Sequence, residues 1–258
     1  MTDIIGIHWH EDADSIVTLT IDDPTGEANI MNEVFDNALA ATVTKLKAEK
    51  ARIKGVIVTS AKKTFFAGGD LTALIQAKPE HAPLFEAKLT VMKAQLRALE
   101  TLGKPVVAAM NGTALGGGLE IALACHHRIA LNNPKAEFGL PEVSLGLLPG
   151  AGGVVRTVRM LGIQNALMNV LMKGDRMKVA KAKSVGLIDD IAESTEDMMA
   201  KAKAWIIANP SAQQPWDKSG YKMHTRVGDE FTCVPIQLAK TNQRCKLSCA
   251  KSDFVCRG

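Results

Sequence analysis

The sequence lacks several features that would place it in a specialised class of protein. It has no uninterrupted apolar run of about 20 residues, the length that a membrane-spanning helix needs. Its formal net charge is +4 over 258 residues, which is too small to indicate nucleic-acid binding but is compatible with an anionic small molecule. No basic segment followed by an apolar one opens the chain, so we recognise no secretory leader and expect a cytoplasmic protein.

Paired metal ligands are also lacking. One cysteine, Cys125, stands alone in an apolar segment. The other four fall within the last 26 residues, at Cys233, Cys245, Cys249 and Cys256. Structural zinc sites combine close pairs of cysteine or histidine ligands, and the spacing here completes no such set. We therefore expect no bound metal.

What the sequence does contain is a repeated succession of strand-like, glycine-rich and helix-like segments. Hydrophobic residues make up 47% of the chain and charged residues 22%, which is typical of a globular protein with one large domain. The alternation predicts an α/β fold. We expect buried strands at 55–60 and 106–110, a short strand at 187–189, and helices at 32–49, 84–102 and 119–130.

The most informative stretch is residues 108–153, where two carboxylates lie close to glycine-rich turns. Gly116, Gly117 and Gly118 precede Glu120, and Glu142 follows 22 residues later. Glycine lets a ligand approach backbone N–H groups closely, and N–H groups at a helix start can stabilise a developing oxyanion. A partly buried carboxylate beside them would be tuned for proton transfer. A glutamate in a first helical turn is also common without any catalytic role.

A second glycine turn precedes another helical segment. Gly68 and Gly69 are followed by Asp70, which is a good helix N-cap residue. The chain therefore contains two turns that each offer one backbone N–H. A dinucleotide or phosphate-loop site is a weaker interpretation, because the glycine spacing fits the dinucleotide pattern poorly and no Gly-Lys-Ser/Thr follows.

Four motifs, taken in this order and spacing, resemble the crotonase superfamily of enoyl-CoA hydratases and isomerases. They are TFFAGGDL at 64–71, NGTALGGGLE at 111–120, FGLPE at 138–142 and LPGAGG at 148–153. The resemblance runs from about residue 16 to residue 191. It implies an α/β fold built as a spiral of repeated ββα units, followed by a C-terminal helical region.

The resemblance also implies a substrate and a set of site residues. The substrate is a coenzyme A thioester, so no separate cofactor is expected. The backbone N–H groups of Gly69 and Gly117 form an oxyanion hole, and Glu120 and Glu142 are the acid/base pair. The Gly150 N–H helps to hold the attacking water. The remaining substrate contacts that we expect come from Ala67, Asp70, Leu71 and, at the coenzyme A phosphates, Lys62.

A finer resemblance is to the N-terminal part of the multifunctional fatty-acid β-oxidation α-subunit, carried by residues 28–33, 209–210 and 215–217. We assign 1–191 to the crotonase-like core, 192–223 to a helical extension and 224–258 to an unassigned tail, truncated or non-native. The last segment also departs from stand-alone hydratases, whose final helices close the coenzyme A pocket. We expect acyl-CoA as ligand and a homotrimer, a hexamer or a place in a β-oxidation complex.

Three functions remain open at this point. The first is hydration of trans-2-enoyl-CoA, which requires both Glu120 and Glu142. The second is isomerisation of a 3-enoyl to a 2-enoyl thioester, which requires one proton shuttle. The third is an inactive acyl-CoA-binding fragment of a multifunctional enzyme.

Overall fold

The computed structural model describes residues 4–223, which belong to one compact unit. Its strands β1 to β8 are Ile7–Glu11, Ile16–Ile21, Gly55–Ser60, Val106–Met110, Ala114–Leu115, His127–Leu131, Phe138–Gly139 and Asp190–Ala192. Its helices α1 to α8 are Glu33–Glu49, Leu71–Ile75, Ala82–Glu100, Gly117–Leu123, Gly153–Leu161, Ile163–Ala166, Val179–Val185 and Thr195–Ala208. Short 3-10 turns lie at Pro79–His81, Pro141–Leu145 and Pro215–Asp217, and a π-helical turn lies at Leu167–Leu171.

Six strands form the main sheet, in the order β1-β2-β3-β4-β6-β8. Strand β1 is antiparallel to β2, and every later pair is parallel. Parallel neighbours need long crossovers, and helices supply them here. The expected α/β class is therefore confirmed, with a mostly parallel sheet.

The sheet is covered on both faces, which explains why its central strands read as unbroken apolar runs. Side chains alternate across β4: Ala108 and Met110 belong to the larger core, whereas Val107 and Ala109 belong to a second core. The second core includes Ala202 of α8. Helix α8, which lies in the 192–223 segment, thus packs directly on one face of the sheet.

Strands β3, β4 and β6 are each followed by a short second segment and then by a helix. The second segments run side by side: Phe66 pairs with Ala114, and Ala114 pairs with Phe138 of β7. Strands β3, β4 and β6 therefore each begin a similar unit, and the units stack in one direction. This is the repeated ββα arrangement that the sequence predicts.

Two helix starts are capped by polar side chains, and the cap at Asp70 is the one that the sequence predicts. The Asn32 side chain accepts a hydrogen bond from the Phe35 N–H at the start of α1. Asp70 Oδ1 accepts from the Thr72 and Ala73 N–H groups at the start of α2. Each cap satisfies donors that a helix leaves unpaired.

Two predicted elements were wrong. Helix α4 ends at Leu123 rather than near residue 130, because the His126 N–H donates to Val106 O and residues 127–131 pair with β4. Sheet pairing here outweighs helix propensity. The strand expected at 187–189 is Asp190–Ala192 instead, because the chain reaches the edge of β6 only at Asp189.

The unassigned tail predicted at 224–258 lies outside the described residues. Within the part of the chain that the structure describes, no helix is long and apolar enough to cross a membrane.

The turn between β4 and β5 depends on a glycine. A Cβ added at Gly112 would overlap the carbonyl oxygen of Lys63 and lie 3.1 Å from Thr64 Cα. Both neighbours are backbone atoms, so neither can rotate away. This close approach sets the distance between two neighbouring ββα units.

We predict that Gly112→Ala lowers the free energy of unfolding by about 1–3 kcal/mol through overpacking. Thermal denaturation followed by circular dichroism measures it. Gly26→Ala is the matched control, since the nearest atom to its added Cβ is at 3.6 Å. Equal melting temperatures for the two variants would contradict the prediction.

Candidate active site

Two glycine turns lie against each other at the ends of neighbouring second segments. Phe66 O accepts a hydrogen bond from the Leu115 N–H at 3.2 Å. Two residues beyond the Phe66–Ala114 pair, each segment turns through a glycine with positive φ, +117° at Gly68 and +51° at Gly116. A Cβ added at Gly116 would lie only 3.8 Å from Gly68 Cα. The two turns are thus adjacent and geometrically similar.

The residue after each of these glycines carries a free backbone N–H. Gly69 follows Gly68, and Gly117 follows Gly116 as the first residue of α4. Among residues 4–223, no hydrogen bond from the N–H of Gly69 or Gly117 is found. Gly117 is buried and Gly69 is half-buried, and an N–H group without a partner is rare inside a folded protein. Two such donors on adjacent turns are suited to bind one oxygen atom of a ligand.

Glu120 lies in the first turn of α4 and is 2% exposed. Its Oε1 accepts hydrogen bonds from the Ala151 N–H at 2.8 Å and the Gly153 N–H at 2.7 Å. Burial raises the pKa of Glu120, and the N–H groups of Gly153 and Ala151 and the charge of Arg156 oppose the rise. The 151–153 loop therefore fixes the carboxylate and favours its ionised form.

Glu142 lies in the 3-10 turn Pro141–Leu145 and faces the same space. A Cβ added at Gly116 would lie 2.9 Å from Glu142 Oε1, so the carboxylate touches the second glycine turn. Burial, with a further contribution from the charge of Glu120, raises the pKa of Glu142 to about 7. Among the described residues, none donates a hydrogen bond to its buried Oε2.

The two carboxylates therefore differ in environment. Glu120 receives two backbone hydrogen bonds, which stabilise a carboxylate, whereas the Oε2 atom of Glu142 receives none. Two like charges in one buried space disfavour double ionisation. A single proton shared by the pair is held better by Glu142. The two backbone hydrogen bonds at Glu120 thus distinguish the two carboxyl groups.

The other predicted site residues lie on the same turns or beside them. Ala67 and Leu71 are exposed next to Gly69, and Leu71 is 51% exposed. Asp70 caps α2, so its carboxylate is already bonded to backbone. Gly150 immediately precedes the loop that contacts Glu120, and a Cβ added there would lie 3.0 Å from Leu89 Cδ2.

The Lys62 side chain already forms an ion pair within the protein. Its Nζ lies 2.8 Å from Asp22 Oδ1, and its side chain is 19% exposed. A contact with a ligand phosphate would therefore compete with this ion pair. No three His, Cys, Asp or Glu side chains of residues 4–223 are grouped as a metal site would require.

Two residues that support the site were missed as functional residues by sequence reasoning. Asn29 is fully buried; its Nδ2 donates to Ser60 Oγ at 2.8 Å, and its backbone O accepts from the Ala67 N–H at 2.8 Å. Met31 packs on the second turn, where a Cβ added at Gly117 would lie 2.5 Å from its Sδ. The only signal for either was their place in the 28–33 segment of the resemblance.

The match to a protein family agrees with this geometry. Residues 11–214 match the family model described as enoyl-CoA hydratase/isomerase. The chain belongs to this family. The match includes both glycine turns and both carboxylates, and membership indicates an enzyme.

Three solved structures share the fold of this chain. An enoyl-CoA hydratase from Bacillus anthracis is 29% identical, with a TM-score of 0.69 over 79% of this chain and 76% of that one. Pseudomonas aeruginosa DspI is 27% identical, with a TM-score of 0.70 over 81% and 76%. An enoyl-CoA hydratase from Polaromonas sp. JS666 is 28% identical, with a TM-score of 0.68 over 79% and 77%. The crotonase-like fold is thus confirmed.

A curated relative is named as a subunit of a fatty acid oxidation complex. The chain is 41% identical over 184 residues to the fatty acid oxidation complex subunit alpha of Shewanella frigidimarina (strain NCIMB 400). The alignment covers 70% of this chain and 25% of that subunit. The chain therefore spans about a quarter of the length of this relative, and the finer resemblance is confirmed.

We predict that Glu120→Gln lowers the pKa of Glu142 from about 7 toward its ordinary value of 4.5. The substitution removes the neighbouring negative charge, which raises the pKa, but leaves the burial of Glu142 in place. A carbon-13 NMR titration of the side-chain carboxyl groups measures it. Glu33→Gln, at an exposed position in α1, should leave the Glu142 titration unchanged. An unchanged or higher Glu142 pKa in Glu120→Gln would show that the two carboxylates do not interact.

Proposed function

We propose that the chain hydrates trans-2-enoyl-CoA thioesters in fatty-acid β-oxidation. The observation that carries this proposal is the pair of carboxylates, buried Glu120 and half-buried Glu142, beside two backbone N–H groups on adjacent turns that have no partner among residues 4–223. Hydration needs a base for water, an acid for carbon and a site for the oxyanion, and this set supplies all three. The names of the structural neighbours support the choice of an enoyl-CoA substrate.

The oxyanion is the central charge in the reaction. Water adds at C3 of the conjugated thioester, and negative charge develops on the thioester oxygen as an enolate. We propose that the N–H groups of Gly69 and Gly117 bind this oxygen. Removing one such donor costs on the order of 10²–10³ in rate in other enzymes.

The proton transfers follow from the different environments of the carboxylates. Ionised Glu120 takes a proton from water as the O–C3 bond forms, and protonated Glu142 gives its proton to C2. One water molecule is thereby added across the double bond, and both carboxyl groups return to their starting states by proton exchange. The Gly150 N–H, next to the loop that holds Glu120, is placed to orient the water.

No separate cofactor is needed, because coenzyme A enters as part of the substrate. We propose that Ala67, Asp70 and Leu71 border its path and that Lys62 contacts a phosphate when it leaves Asp22. The relative's name, a subunit of a fatty acid oxidation complex, supports a role in such a complex. A homotrimer or hexamer in the cytoplasm remains our proposal for the chain alone.

Isomerisation is the second candidate. Moving a double bond from position 3 to position 2 needs one group that takes a proton from C2 and returns it to C4. Glu142 suits this shuttle, because burial brings its pKa to about 7. The same site would then perform both reactions, with Glu120 essential only for hydration.

We predict that the chain consumes crotonyl-CoA, measured as loss of enoyl-thioester ultraviolet absorbance. Glu120→Gln and Glu142→Gln should each lower kcat on the order of 10²–10⁴-fold, the usual contribution of general acid–base catalysis. Glu33→Gln is the control and should keep the parent activity.

Three outcomes separate the candidates. Loss of hydration in both variants with the fold intact supports the two-carboxylate mechanism. Turnover of a 3-enoyl-CoA without water addition would favour the isomerase. A folded chain that binds crotonyl-CoA without turnover would be a binding module and would overturn the proposal.

A further inference from the structure

A buried ion pair lies just outside the proposed site. Glu100, the last residue of α3, is 5% exposed, and Arg156 of α5 is 6% exposed. The Arg156 Nε donates to Glu100 Oε1 at 2.7 Å. Removing two charges from water has a desolvation cost that can exceed their mutual attraction, so a buried pair is weak evidence for added stability. Its other contacts therefore matter more for its role.

Arg156 reaches the loop that holds Glu120. Its Nη1 donates to the Ala151 carbonyl oxygen at 2.9 Å, and the Ala151 N–H donates to Glu120 Oε1 at 2.8 Å. Only residue 151 thus separates the guanidinium from the candidate catalytic carboxylate. A Cβ added at Gly152, where φ is +107°, would overlap Arg156 Nη1, so the loop lies directly on the guanidinium.

The second carboxylate oxygen of Glu100 is paired with another arginine. The Arg97 Nη1 donates to Glu100 Oε2 at 3.0 Å and to Asp217 Oδ2 at 2.8 Å. Asp217 lies in the 3-10 turn Pro215–Asp217, after α8. A chain of alternating charges therefore runs from this turn through Arg97, Glu100 and Arg156 to the loop.

We propose that Glu100 and Arg156 are positioning residues that hold the 151–153 loop, so that its N–H groups fix Glu120 in the orientation needed to accept a proton. Neither side chain touches substrate in this assignment. The effect of these two residues on catalysis rests on the proposed function. The hydrogen bonds that connect Arg156 to Glu120 through Ala151 do not depend on it. Arg97 and Asp217 form an outer layer with a weaker effect, because they act through Glu100.

The experiment compares loss of function with loss of stability. Arg156→Met removes the guanidinium and keeps much of its apolar length, and Arg156→Lys keeps a charge and a donor. The control is Arg128→Met. Arg128 is the other buried arginine of the described residues, 5% exposed, and its Nη1 donates to Cys125 O rather than to the loop.

We predict that Arg156→Met lowers kcat for crotonyl-CoA on the order of 10²-fold, as loss of catalytic geometry does elsewhere, with KM nearly unchanged. Arg156→Lys should recover part of kcat. Arg128→Met should lose comparable thermal stability but keep kcat. An equal loss of kcat in the two Met variants would assign Arg156 a purely structural role and overturn the proposal.

A second readout does not depend on turnover. The groups that face Glu120 are the carboxylate of Glu142, the guanidinium of Arg156 and the backbone of residues 151–153. Because Arg156 and the loop N–H groups lower the pKa of Glu120, Arg156→Met should raise its midpoint in a carbon-13 NMR titration. An unchanged midpoint would overturn the proposal even if kcat falls.

The same titration separates this proposal from the proposed function. If the parent chain does not hydrate crotonyl-CoA, the hydratase assignment fails, and the shift of the Glu120 midpoint still decides the positioning claim. If Arg156→Met does not fold, Glu100→Gln replaces it, since Gln keeps the shape and can still accept from Nε. Its expected loss of kcat is smaller than that of Arg156→Met, and an unchanged kcat would overturn the proposal. The Glu120 midpoint is not its readout, because loss of the Glu100 charge by itself lowers the pKa of Glu120.

Discussion

The close backbone contact between the two glycine turns is the constraint on which the rest of the site depends. A side chain at Gly118 would overlap the carbonyl oxygen of Phe66, and one at Gly116 would approach Gly68. Only glycine allows the second segments of neighbouring units to run this close. The contact aligns the N–H groups of Gly69 and Gly117, and it starts α4 at the position that sends Glu120 inward.

The second constraint is the free-energy cost of desolvating two carboxyl groups in one space. Glu120 offsets it with two backbone hydrogen bonds, whereas Glu142 does so by holding a proton at a pKa of about 7. Burial therefore acts on two carboxyl groups with different hydrogen-bond partners, and this difference is the basis of the separate roles that we propose for them. The loop at 151–153 is therefore part of the site, although its contribution comes entirely from the backbone.

The sequence predicts the features that depend on local chemistry. Glycine turns, the cap at Asp70 and the unbroken apolar strand at 55–60 all follow from short-range rules, and the structure has them. The wrong helix end after Leu123 and the shifted strand at Asp190–Ala192 arise from sheet pairing, which short-range patterns do not encode. The Glu100–Arg156 pair joins residues 56 positions apart, so no local signal reveals it.

In the proposed reaction, the N–H groups of Gly69 and Gly117 polarise the thioester carbonyl of the substrate. Infrared spectroscopy of bound butyryl-CoA, labelled with carbon-13 at the thioester carbonyl, tests it most directly, because this saturated thioester cannot be hydrated. We expect a carbonyl stretch at lower frequency in the complex than in water, since two fixed donors polarise the bond more than solvent does. A bound carbonyl at the same or a higher frequency than in water would contradict the assignment of the oxyanion hole.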